Sequence, residues 1–151
     1  TRAQLAAMLG IRLREALARA PRRVTVVLTD IRFHWAAPWI LPVIRTGWME
    51  SFPNHTFQPS AFVRRADLAQ AVWRAAQDLG AGQPQELARW AASRPALRDV
   101  PRGHLAYPAI AGALASGAMG MGDTDRFEPG RPATGSEIVA AIARLEWLAN
   151  K

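Results

Sequence analysis

His34-Trp35-Ala36-Ala37-Pro38-Trp39-Ile40 returns 70 residues later as His104-Leu105-Ala106-Tyr107-Pro108-Ala109-Ile110. At that offset, positions 34–79 lie on 104–149 without a gap, and ten of the 46 pairs are identical. Matched alanines carry little weight in so Ala-rich a chain. His34/His104, Pro38/Pro108, Gly47/Gly117, Phe57/Phe127 and Pro59/Pro129, in one order, carry a great deal. A repeat of this length is a supersecondary unit that buries its apolar faces against its neighbours.

Both copies read alike. Asp30-Ile31 or Asp99-Val100 leads to the histidine. An apolar helix follows, about 35–46 or 105–116, and stops at Gly47 or Gly117. Glycine ends helices because it accepts the left-handed conformation. Pro42 removes a backbone donor inside the first of these helices and predicts a kink. A loop then reaches Phe57-Gln58-Pro59 or Phe127-Glu128-Pro129. A second helix spans about 64–79 or 135–148, with Leu68, Val72, Trp73, Ala76 and Leu79, or Ile138, Ile142, Leu145 and Leu148, on one face.

Thr1-Arg2-Ala3-Gln4-Leu5 aligns with Arg64-Arg65-Ala66-Asp67-Leu68, so the chain opens on the second helix of an earlier copy. The expected organisation is one all-α domain over 1–151: a half copy at 1–20 and full copies at 28–79 and 97–149. Between them, Val24-Thr25-Val26-Val27-Leu28 reads as a short strand or extended segment, and Gln85 to Ala92 as a short helix. The opening residues carry neither Met nor a signal-peptide pattern and read as the start of a fragment or processed product. The longest uncharged run, Leu105 to Gly122, is weakly apolar and broken by Pro108, so it reads as helix plus loop, not as a membrane span.

There is no Cys, which excludes disulfides, thiolate metal sites and a Cys nucleophile. The net charge of +7 is uneven. Residues 1–33 carry seven Arg against Glu15 and Asp30, a net of +5, whereas residues 104–151 net −1. A basic face of this kind attracts acidic polysaccharide, nucleic acid or lipid head groups; the alternative is a solvated Arg-rich surface. No nucleic-acid-binding motif accompanies it. His34, His55 and His104 are the only histidines, and no Asp or Glu recurs near them at ligand spacing. No Ser–His–Asp or paired-carboxylate pattern emerges either. The expectation is a non-catalytic chain without metal or cofactor. Asp123, Asp125 and Glu128 read as a solvated turn or as the start of a calcium loop that lacks its full ligand set. Trp35, Trp39 and Trp48 read as core or groove wall, with Trp35 expected in the core and Trp48, just past Gly47, open to either.

Taken together, Asp30, His34-Trp35-Ala36, Gly47, Phe52-Pro53-Asn54-His55-Thr56-Phe57-Gln58-Pro59 and Arg64-Arg65-Ala66-Asp67 resemble the S-layer homology repeat. The later copy fits through Asp99, His104, Gly117, Phe127-Glu128-Pro129 and Ser136-Glu137. The resemblance implies a pseudo-threefold bundle of helix–loop–helix repeats with grooves between neighbours. It implies a place in the cell envelope, on the extracellular surface or in the periplasm. It also implies non-covalent attachment to an anionic cell-wall polysaccharide or peptidoglycan-linked glycan; the alternative role is a docking subunit among other envelope proteins. The motif arginines it points to are Arg2 and Arg65, with Arg64, Asp30, Gly47 and Trp48 as further candidate glycan contacts. In the last copy the arginine position is Gly135. A guanidinium offers a carboxylate or phosphate a planar, two-pronged hydrogen-bonding fork; the alternative for Arg2 and Arg65 is an ordinary helix-start surface residue.

Overall fold

A computed structural model describes residues 1–122 and 125–151. It is all-α: seven α-helices and a 3-10 turn at Gly80–Gly82, with no strand among the described residues. The chain divides into two compact units, Thr1–Val63 and Arg64–Lys151. The division falls inside the 28–79 repeat. Each unit therefore joins the second helix of one copy to the first helix and loop of the next.

Unit 1 holds α1 (Arg2–Arg12), α2 (Arg14–Arg19) and α3 (Ala37–Thr46). Thr1 caps α1: its Oγ1 accepts from the Gln4 amide at 3.3 Å, and the Gln4 side chain accepts from the Thr1 amino group at 2.8 Å. α3 starts two residues later than the pattern suggests. The His34 ring is the reason, since its Nδ1 accepts the Ala36 amide at 3.1 Å and holds the preceding turn closed. That places Trp35 in the turn, 58% exposed, which corrects its expected core position. The helix runs on through Pro42 to Gly47, whose φ of 81° provides the left-handed stop. Leu5, Leu9, Ile40, Val43, Ile44, Trp48 and Phe57 form the core at 1% exposure or less. Each such side chain contributes roughly 1.5–3 kcal/mol of burial. Residues 24–28 form neither helix nor strand, and Val27 is exposed.

Unit 2 holds α4 (Arg65–Leu79), α5 (Pro84–Ala91), α6 (Tyr107–Ala115) and α7 (Gly135–Ala149). The duplicated devices recur. His104 Nδ1 accepts the Ala106 amide at 3.1 Å, and Gly117 has φ 75°. Thr134 and Glu137 cap α7 reciprocally. Ile110, Phe127, Leu68, Val72, Ile142 and Leu145 are fully buried. The Tyr107 hydroxyl donates to the Pro95 carbonyl at 2.7 Å and ties the connector to α6.

Candidate functional site

The motif arginines face inward. Arg2 donates from Nε to the Phe57 carbonyl at 2.7 Å and from Nη2 to the Glu50 carbonyl at 2.5 Å. Its Cζ lies 4.5 Å over the Phe57 ring. Arg65 repeats this: Nε to the Phe127 carbonyl and Nη2 to the Gly120 carbonyl, both at 2.7 Å, and Cζ 4.4 Å over the Phe127 ring. Its remaining nitrogen pairs with the Glu137 carboxylate, which also accepts from Arg131 at 2.7 Å. Burial pushes the Glu137 carboxyl up, but the Thr134 amide and the Arg131 and Arg65 guanidiniums outweigh it and hold the group below its usual range. Arg65 is 2% exposed and Trp48 1%. Neither has a face open to a ligand, which corrects their expected place among the glycan contacts. Buried, fully bonded guanidinium favours a structural tie.

Asp30 and Asp99 are staples of the same loops. Asp30 accepts the amides of Phe57 at 2.8 Å and Gln58 at 2.7 Å; Asp99 accepts those of Phe127 at 2.9 Å and Glu128 at 2.7 Å. Gln58 and Glu128 are both left-handed, with φ 55° and 59°. That conformation costs a non-glycine residue about 1–2 kcal/mol, and two amides bonded to a carboxylate offset it. Partial burial pushes the Asp99 carboxyl up, but those amide bonds and nearby Arg126 hold it below the ordinary carboxylate range. Gly47 ends α3. Arg64 is exposed and pairs with Asp67 at 3.1 Å, whose hydrogen bond and charge raise its pKa.

A different part of unit 1 is open. A groove of about 680 Å³ lies between α1–α2 and α3, and Ile11, Arg14, Arg22, Trp39, Pro42 and Arg45 are among the residues that line it. No Asp or Glu lines it among the described residues. All three arginines are exposed, and none makes an ion pair among the described residues. Its floor is set by Gly10, where an added Cβ would lie 2.7 Å from Trp39 Cδ1, so the indole rests directly on α1.

Unit 2 has lost these features at the equivalent positions. Gly10 corresponds to Trp73, Arg14 to Gln77, Trp39 to Ala109, Pro42 to Gly112 and Arg45 to Ala115. The bulky ring now comes from the other helix: Trp73 lies against Gly112, where a Cβ would sit 2.3 Å from the indole. Trp73 is 8% exposed. The two units thus share a fold and a loop but not a cationic groove.

No group of three or more His, Asp or Glu among the described residues is arranged to hold a metal ion. The suggested calcium loop includes Asp123, which with Thr124 lies outside the described residues. No described helix is long and apolar enough to cross a membrane.

No family model matches the chain, and no solved structure matches it. Over 51 residues it is 33% identical to a cellulosome-anchoring protein of Acetivibrio thermocellus. The match covers 34% of this chain and 11% of that protein, so the chain corresponds to about a tenth of that relative's length.

Proposed function

We propose that the chain is a non-catalytic module of the bacterial cell envelope that anchors the protein carrying it by holding an anionic cell-wall glycan. The observation that carries this reading is the unit 1 groove, whose lining includes Arg14, Arg22, Arg45 and Trp39 and, among the described residues, no Asp or Glu. Acidic saccharides present carboxylates or phosphates on rings that also have an apolar C–H face. Guanidinium forks suit the anions, and a tryptophan suits the ring face. Each charge-assisted hydrogen bond contributes on the order of 1.5–3 kcal/mol, so a few repeated along a polymer give firm but reversible retention. The likeness to an anchoring protein and the resemblance to the S-layer homology repeat favour the same role.

The test is co-sedimentation of the chain with purified cell-wall sacculi, before and after the anionic polymer is stripped from them. Retention on intact sacculi, lost on stripping and weakened by salt, is the expected result. Equal retention on stripped sacculi would remove the anionic glycan from the account.

A further inference from the structure

Val24-Thr25-Val26-Val27-Leu28 has the composition of a strand, β-branched and uncharged, yet it forms none. Its two ends are tied down. The Arg23 and Val24 amides donate to the Arg45 carbonyl at 2.7 and 3.1 Å, and the Thr29 amide donates to the His55 carbonyl at 2.9 Å. Between those ties, the backbone groups of Thr25, Val26, Val27 and Leu28 have no hydrogen-bond partner among the described residues. Val27 is 76% exposed, and Val24 and Thr25 are exposed too. Water solvates such groups, but a row of them on β-branched residues is also a template on which a second strand pairs.

The equivalent run of the later copy is blocked. Counted back from Asp30 and Asp99, Thr25 corresponds to Arg94 and Val26 to Pro95. Charge and proline are two of the devices that close a free edge to other chains. The Pro95 carbonyl is taken as well, by the Tyr107 hydroxyl. Residues 24–28 carry neither device.

The charges around the run fit one occupant. Arg22 lies four residues before Val26, and Asp30 four residues after it. Both are exposed, and neither makes an ion pair among the described residues. In an antiparallel pair of two identical runs centred on Val26, Thr25 faces Val27 of the other copy and Arg22 faces Asp30, once on each side of a two-fold axis. A parallel pair would set Arg22 against Arg22.

We infer that residues 24–28 are a pairing edge for the same run of a second copy of this chain, closing a two-fold dimer through backbone hydrogen bonds. Both runs are used up in the pair, so the assembly stops at two. Of the groove arginines it engages only Arg22. The pairing draws nothing from glycan, and it stands whether or not the groove binds one.

The chain has no Cys, so a single introduced one reports the register. Across the pair the two Val26 Cα atoms lie about 4.5–5.5 Å apart, within the span of a disulfide, whereas the two Thr25 positions are out of register and beyond its limit of about 7 Å. Val26→Cys is expected to oxidise to a covalent dimer at least about tenfold faster than Thr25→Cys. Sedimentation equilibrium of the unsubstituted chain is expected to show monomer and dimer with a Kd at or below about 1 mM. Val27→Pro removes an amide donor and Val27→Lys puts a charge on the edge; each should raise that Kd at least about tenfold. The site is exposed, and unchanged helical content and melting temperature confirm that the variants fold. A chain still monomeric at about 1 mM, equal cross-linking at the two cysteine positions, a dimer that both Val27 variants leave intact, or an assembly larger than two would overturn the inference.

Discussion

Arg65 Nε donates to the Phe127 carbonyl oxygen at 2.7 Å while the guanidinium carbon lies 4.4 Å over the ring of that same phenylalanine. Arg2 holds Phe57 in the same two ways. One residue on each helix thus fixes both the backbone and the side chain of the loop that packs on it. Truncating Arg65 leaves the Phe127 and Gly120 carbonyls and Glu137 without their partner. Arg65→Ala is expected to destabilise the chain by about 3 kcal/mol. Arg2→Ala, at a half-buried site, is expected to cost about 1–2 kcal/mol. Urea denaturation measures both, and equal small losses would contradict the ranking.

Stability should fall in acid. Asp99 and Glu137 are both held below the ordinary carboxylate range in the folded chain. A depressed folded pKa contributes stability that is complete above the unfolded value, about 4, and is lost as pH falls through the folded value. Thermal melts from pH 7 to pH 3 are expected to show a falling melting temperature below about pH 4. Asp99→Asn should lower the melting temperature at pH 7 and flatten part of that fall, with Glu137→Gln flattening more of it. A slope left unchanged in the double variant would show that other groups govern it.

The paired tryptophan and glycine positions make a steric prediction. Gly112→Ala forces a methyl into the Trp73 ring and should cost about 1–3 kcal/mol. Trp73→Ala in the same chain relieves the clash while leaving a cavity of its own, so the double variant should lose less than the sum of the two single losses. Additive losses in a double-mutant cycle would mean that the two positions do not meet.

Much of this was legible in the amino-acid sequence, and the reasons for the remainder are specific. His34/His104, Gly47/Gly117 and Phe57/Phe127 are identical pairs because their tasks, closing a turn, adopting a left-handed stop and filling a core, admit few residues. The left-handed pairs His55/Asp125 and Gln58/Glu128 were not legible, since none is a glycine and their conformation is imposed by neighbours such as Asp30 and Asp99. Helical periodicity locates a buried face without naming what buries it, so the repeat boundaries at 28 and 79 did not reveal that the units divide after Val63. The motif arginines looked like ligand contacts because a charged side chain at a helix start is ordinarily exposed, but here a phenylalanine loop covers Arg65. The groove residues Arg14, Arg22, Trp39 and Arg45 form no local motif. Their signal lay in the +5 charge of residues 1–33 and in the mismatches between copies, above all Trp39 with Ala109 and Arg45 with Ala115.

The central claim is that one cationic groove, in unit 1, retains the chain on the cell wall. The most direct measurement is co-sedimentation with purified sacculi of the unsubstituted chain beside Arg14→Ala/Arg22→Ala/Arg45→Ala. All three side chains are exposed, so the variant should melt at nearly the same temperature. The account expects its retention to fall at least about tenfold, the loss of a few charge-assisted contacts. Undiminished retention of a folded triple variant would contradict it.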